Sequence, residues 1–262
     1  MKYSACLEVL YKELPFTERI AAAKKDNFSA VEFWGLKNHD TAGILEQCRK
    51  NSIEIALFNS VNFSQVIDDR DSKSCINEFA DSVEIAKMLA CRNLVVHTNI
   101  IEKDGRAKQP GREIPDDKKR ANVIDFLRHA SPLAEKENIT ILLEPLNTYV
   151  DHPGYFLSNT ADAVKIIEKT GCKNIKILYD FYHMQIMQGN LMANLDKIYD
   201  YIGHIHFADV PKRDEPGNGE INFGNILKEL IKKNYSHYIG FELIPSKDTE
   251  TAVGKIKKIF NF

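Results

Sequence analysis

The chain has 262 residues and is 44% hydrophobic, enough for one large α/β barrel or for two small domains. Its net charge of −2 and pI near 6.5 give no basic footprint for nucleic acid or an anionic membrane surface, so a small molecule is the expected partner. The five cysteines, Cys6, Cys48, Cys75, Cys91 and Cys172, are odd in number and lack a C-x-x-C spacing, which argues against a disulfide framework or a zinc knuckle and fits a reducing compartment.

The first strand is expected at Tyr3–Leu7, directly after a start too short for a signal peptide. No run of about 18 apolar residues follows, so the expectation is a soluble, cytoplasmic protein that does not cross a membrane. Further strands are expected at Ala30–Trp34 and Ile53–Phe58, then a long loop over Asn59–Ser72. Ile76, Phe79, Val83, Ala86 and Ala90, three or four apart, mark a helix face. Strand Asn93–His97, loop Thr98–Pro115 and a helix bearing Val123, Leu127, Ala130 and Ala134 come next. Strand Ile139–Glu144 leads into loop Asn147–Ser158. The following helix has Thr160 as its expected N-cap and Gly171 as its stop. Strands Ile175–Asp180, Ile202–His206 and Tyr238–Glu242 complete the series, with loop Phe207–Ile221 after the seventh. Strand-rich runs alternating with helical periodicity, and no visible linker, predict a single (β/α)8 TIM barrel as one catalytic domain over 1–262. Loops entering strands are short, whereas those leaving strands three, four, five and seven are long and rich in Gly, Pro and charge. That asymmetry marks the C-terminal rim as the working face.

Four potential metal ligands close four of these runs: Glu144, Asp180, His206 and Glu242. Any one acid at a strand end is ordinarily a loop-entry residue. Four together, each following an apolar run, stand where an unpaired charge becomes costly and a divalent cation compensates. Three carboxylates and an imidazole suit Mg²⁺ or Mn²⁺ first, with Co²⁺ and Zn²⁺ also admitted. His204 and His206 share a strand face, with His206 nearer the rim and so the expected ligand, and His204 either a second interior group or a hydrogen-bonded core residue. Glu32 and His97, at other strand ends, are candidates to line the pocket. Trp34, Phe58, Tyr149 and Tyr155 are expected in the core or as apolar pocket walls.

Leu143-Glu-Pro-Leu-Asn147, Asp151-His-Pro-Gly-Tyr155, Tyr179-Asp-Phe-Tyr-His-Met-Gln185, Gly203-His-Ile-His-Phe-Ala-Asp-Val-Pro211, Arg213, Glu215-Pro-Gly-Asn-Gly-Glu-Ile-Asn222 and Gly240-Phe-Glu242 resemble the hydroxypyruvate isomerase family of the xylose isomerase-like barrels. The resemblance spans essentially the whole chain. It implies a metal-dependent rearrangement of a small hydroxy-carbonyl compound through an enediolate. Glu144 and Glu242 would be metal ligands doubling as acid and base, Asp180 and His206 would complete the coordination, and His183 and Arg213 would contact substrate. A guanidinium suits a substrate carboxylate. Asn147, Glu220 and Asn222 are candidates to order the adjoining loop or touch substrate. The chain departs from the family pattern at His206, where many members carry Gln, and at Leu243-Ile244 after the last Glu. Those departures leave hydroxypyruvate, a four-carbon 2-oxo acid and a free ketose all open, so a ketose 3-epimerase and a dehydratase stand as alternatives. A DNA-cleaving barrel would need more ligands and a basic rim. A binding protein without turnover would lack one bridging glutamate, and both are present. Barrels commonly associate, so a homo-oligomer is admitted.

Overall fold

Short apolar runs rich in β-branched and aromatic residues, buried on both faces, become parallel strands when helices cover the outside. A computed structural model describes residues 1–36 and 39–262. Among these residues the strands are β1 (Lys2–Cys6), β2 (Ala30–Phe33), β3 (Glu54–Asn59), β4 (Asn93–Val96), β5 (Thr140–Leu143), β6 (Ile175–Asp180), β7 (Ile202–His206) and β8 (Tyr238–Phe241). They form a closed parallel barrel in the order β1 to β8, the predicted (β/α)8 architecture. The helices are α1 (Phe16–Lys25), α2 (Thr41–Asn51), α3 (Ser72–Met88), α4 (Asp116–Lys136), α5 (Thr160–Thr170), α6 (Phe181–Met187), α7 (Leu191–Ile198), α8 (Phe223–Lys232) and α9 (Thr249–Phe260). None of the described helices is long and apolar enough to cross a membrane, and all five cysteines are free.

Two local expectations fail. Asn159, not Thr160, caps α5, its side chain accepting from the backbone N–H of Asp162 at 2.8 Å; Thr160 is the first helical residue, and its hydroxyl bonds Gln188 instead. Gly171 does end α5, in the left-handed region at φ 72°. Ala90 lies beyond the end of α3, exposed and at φ 54°, and the buried stripe starts at Cys75 rather than Ile76. The α4 stripe of Val123, Leu127, Ala130 and Ala134 is fully buried as expected.

Contacts group the chain into two compact units, Met1–Ala56 with His204–Phe262, and Leu57–Gly203. Within the second, β4, β5 and β6 pair in register with Val95 beside Leu142. Leu57, Val95, Leu142 and Leu178 form one buried cluster there. Side chains two apart share a strand face, so His97, Glu144 and Asp180 stand one layer above Val95, Leu142 and Leu178 on an apolar floor. Within the first unit, β1 pairs with both β2 and β8, and β7 with β8. The corresponding floor is polar: Ser4, Glu32 and His204 are buried, and Gly240 lies two residues before Glu242.

Candidate active site and metal centre

In the unit Leu57–Gly203, Glu144 immediately follows β5 and Asp180 ends β6. Glu144 is buried, and its Oε2 lies 2.8 Å from His97 Nε2. Tyr155 accepts from the Thr98 N–H at 3.0 Å and donates to the Glu144 carbonyl at 3.1 Å, tying the β4 and β5 ends together. Asp180 is also the N-cap of α6. Its Oδ1 accepts from the backbone N–H groups of Tyr182 and His183 at 2.7 and 3.2 Å, and its Oδ2 faces His183 Nε2 at 3.6 Å. A capping carboxylate at a helix start is thereby locked in one rotamer.

His183 is fully buried and its Nδ1 accepts from Asn147, from the backbone N–H at 3.3 Å and from the amide nitrogen at 2.7 Å. Two donors on Nδ1 put the proton on Nε2, so His183 presents a donor on that side. Asn147 is fixed in turn: its oxygen accepts from Val150 and Asp151 N–H groups at 3.0 and 2.9 Å, and its nitrogen donates to Asp151 at 2.5 Å. Asn147 thus orders its own loop through Val150 and Asp151, not the loop that carries Arg213. Glu144, Asp180 and His183 offer ligand atoms within 4.8 Å of one another.

In the unit Met1–Ala56 with His204–Phe262, Glu242 follows β8 and His206 ends β7. Glu242 accepts from the indole N–H of Trp34 and from Arg213 Nη2 at 2.5 Å, and His206 Nδ1 faces it at 3.6 Å. Arg213 is held on both sides by its own backbone, its N–H donating to Asp209 at 2.9 Å and its carbonyl accepting from Ile244 at 2.7 Å, with φ 56°. The loop carrying it is organised by Asp209, a fully buried carboxylate that accepts from the N–H groups of Val210, Gly217, Gly219 and Ile221 at 2.9–3.1 Å. A Cβ on Gly219 would lie 1.9 Å from the Val210 carbonyl, so only glycine fits this crossing. Sequence reading passed over Asp209 because nothing distinguishes a buried loop aspartate from a solvated one before the loop is folded.

Glu32 does not line the pocket rim. It is buried beneath it, with His206 Nε2 at 3.0 Å, His204 Nε2 at 3.2 Å and the Ser4 hydroxyl at 2.6 Å. Burial works against its charged form, but the neighbouring His206 and the N–H groups of His206 and His204 outweigh it and hold the carboxyl at about 2. Burial likewise opposes protonation of His206, and the Glu32 charge, followed by Glu242, overrides it and raises the imidazole well above its usual range. Of the four aromatic residues expected in the core or as pocket walls, Phe58 and Tyr155 are buried, whereas Trp34 and Tyr149 are 45% and 75% exposed and lie outside the core. Glu220 is exposed, and Asn222 caps α8 through the Asn225 N–H.

The donor chemistry suits a divalent cation. Oxygen-rich donor sets with an imidazole are the sets that hard and borderline ions take.

The sequence pattern described as xylose isomerase-like TIM barrel matches residues 20–259. The chain belongs to that family. Within it, the chain is 33% identical over 257 residues to the hydroxypyruvate isomerase of Escherichia coli K12, covering 97% of each protein. It is 31% identical over 264 residues to the 2-oxo-tetronate isomerase of Cupriavidus necator, covering 98% of this chain and 97% of that one. A crystal structure of an AP endonuclease of family 2 from Brucella melitensis superposes with a TM-score of 0.90 at 26% identity, covering 98% of this chain and 99% of the other. The hydroxypyruvate isomerase resemblance read from the motifs is thus shown, and with it the enzyme class, an isomerase.

Proposed function

We propose that this isomerase interconverts a small 2-oxo acid with its 2-hydroxy-3-oxo isomer, hydroxypyruvate with tartronate semialdehyde or a close four-carbon analogue, through an enediolate. The names of its hydroxypyruvate and 2-oxo-tetronate isomerase relatives support the substrate class. The observation that carries the reading is that Glu144 and Glu242 are both buried carboxylates at barrel strand ends, each already bonded to a donor, His97 and Arg213. A C–H beside a carbonyl is a weak acid, and one carboxylate removes that proton while the other delivers a proton to the neighbouring carbon.

Glu144, Asp180, His206 and Glu242 would hold one divalent ion, Mg²⁺ or Mn²⁺ before Co²⁺ or Zn²⁺. Their support is that they close the consecutive strands β5 to β8 of one closed parallel sheet. When bound, such an ion supplies electrostatic stabilisation of the developing enediolate oxygens. His183, its proton fixed on Nε2, would donate to a substrate oxygen. Arg213, half-buried and holding Glu242 at 2.5 Å, would turn its planar donors to the substrate carboxylate. That guanidinium favours a 2-oxo acid over a free ketose, so the ketose 3-epimerase and dehydratase readings take second place. The acidic pI keeps nucleic acid outside the proposal.

The test is proton exchange in D₂O followed by NMR on Mn²⁺- or Mg²⁺-loaded enzyme with hydroxypyruvate, a four-carbon 2-oxo acid and several ketoses. Deuterium entering beside the carbonyl of the acids, and lost in both Glu144→Gln and Glu242→Gln, supports the reading. Exchange confined to ketoses, or none at all, overturns it.

A further inference from the structure

Glu242, one of the two carboxylates proposed to carry the proton, is gripped by a side chain that takes no part in the transfer itself. Trp34 directly follows β2, and its indole N–H donates to Glu242 Oε1, while Arg213 Nη2 donates to Oε2 at 2.5 Å. We propose that Trp34 is a positioning residue that fixes the plane of the Glu242 carboxylate and keeps it fixed when Arg213 engages the substrate. The inference rests on the proposed function above and names a determinant of turnover which that reading did not contain.

Three observations carry it. The first is register: side chains two apart share a strand face, and in the layer below, a Cβ on Gly240 would lie 2.3 and 2.5 Å from the Glu32 oxygens. Two residues further along each segment, the same neighbours meet as Trp34 and Glu242. The second is burial. Trp34 is 45% exposed, so burial does not oblige its N–H to find a protein acceptor, whereas Glu242 is 7% exposed and must be served by protein donors. The bond therefore serves the carboxylate.

The third observation is the chemistry of the two donors. A guanidinium has five N–H groups and pairs with carboxylates bidentately, so a substrate carboxylate competes with Glu242 for Arg213. The indole offers a single uncharged donor. It holds Glu242 without attracting the substrate carboxylate and without titrating against the proton in transfer. His206 Nδ1, 3.6 Å away, also faces Oε2, so Trp34 acts on the opposite oxygen from both. A donor on each oxygen stops the carboxylate from turning, and a displacement of about 1 Å at a reacting group costs about 100-fold in rate.

The experiment exploits the fact that Trp34 is the chain's one tryptophan. Expression with β-(3-benzothienyl)alanine in place of tryptophan changes position 34 alone, putting sulfur where the N–H stood at nearly constant shape. For the 2-oxo acid that the wild type turns over, kcat is expected to fall about 10–100-fold with KM little changed, and Trp34→Phe is expected to give the same split. In ¹⁵N-indole-labelled wild type the single indole resonance is expected downfield, moving upfield in Glu242→Gln. The Glu242 γ-methylene, followed by ¹³C NMR, is expected in one rotamer in the wild type and averaging in the benzothienyl protein. An indole resonance unmoved by Glu242→Gln overturns the proposal. So does a folded benzothienyl protein with wild-type kcat, including one whose KM alone rises, since Trp34 would then only bind substrate. If that protein does not fold, Trp34→Phe decides by the same kinetics. A wild type that turns over none of the compounds defeats the proposed function. The indole resonance and the Glu242 rotamer still judge Trp34 in that case, and an unaltered rotamer overturns its positioning role.

Discussion

Asp209→Asn is the perturbation that separates loop order from barrel stability. Asp209 Oδ1 accepts from Val210 and Ile221 and Oδ2 from Gly217 and Gly219. An asparagine presents its nitrogen to one of these pairs whichever way the amide turns, so two N–H groups lose a charged acceptor. At about 1.5–3 kcal/mol for each bond to a charged group, the loss is about 3–6 kcal/mol. The loop cannot lose more than it costs to open, so global stability falls by no more than the loop's own opening free energy. The effect is therefore expected in local hydrogen exchange before it is seen in Tm. Amides of Gly217, Gly219 and Ile221 should exchange about two to four decades faster, while those of β5 and β6 keep wild-type protection. Because the Arg213 N–H donates to the Asp209 carbonyl, KM for a carboxylate-bearing substrate should rise with the same variant. Wild-type exchange at Gly217 and Gly219, or acceleration spread evenly over the barrel, would refute the reasoning.

Glu144→Gln and Glu242→Gln should each lower kcat by about 10²–10⁴-fold with the fold retained, measured by steady-state kinetics beside circular dichroism. Arg213→Lys keeps the charge but loses the planar fork, so KM should rise more for 2-oxo acids than for neutral ketoses, while the altered bond to Glu242 lowers kcat for both. Exhaustive chelation should abolish turnover, and re-adding Mn²⁺ at 100 times its dissociation constant should stabilise the protein by about 2.7 kcal/mol in a thermal shift series. The raised His206 makes that binding weaker at low pH, since a proton must leave the imidazole before it can ligate. Glu215 supplies a stability test: burial pushes its carboxyl up, but the Ser246 hydroxyl and N–H, with Lys255 at 2.9 Å, bring it from 4.5 down to about 2. A depressed carboxylate contributes stability that is complete above 4.5 and is lost as pH falls through about 2. The wild type should therefore lose up to about 3 kcal/mol more than Glu215→Gln between those limits in urea titrations, and parallel curves would exclude the assignment.

Much of the fold is written in local pattern. The β6 and β7 runs, Ile175–Asp180 and Ile202–His206, are the observed strands to the residue, because two-sided burial demands short, mainly apolar runs, which their length and β-branched content separate from helix. Glu144 and Glu242 stand one residue beyond their strands rather than at the last position, a difference set by where the ladder stops pairing. The Thr160 cap failed for a physical reason. Asn159 and Thr160 both carry capping oxygens, and the competition was decided by Gln188, which engages Thr160 from the start of the next connection.

The sequence by itself determined the alternation of strands and helices, the long loops on one rim, and the acids and histidine that close the last four strands, since each follows from side-chain period and residue chemistry along the chain. The tertiary structure alone decided what surrounds those groups. It set Asp180 as a helix cap, joined Asn147 to His183 and His97 to Glu144, left Trp34 half-exposed with its N–H on Glu242, and sank Glu32 beneath His204 and His206. These partners lie up to 208 positions apart, and only barrel closure brings such residues within the few ångströms over which a hydrogen bond acts.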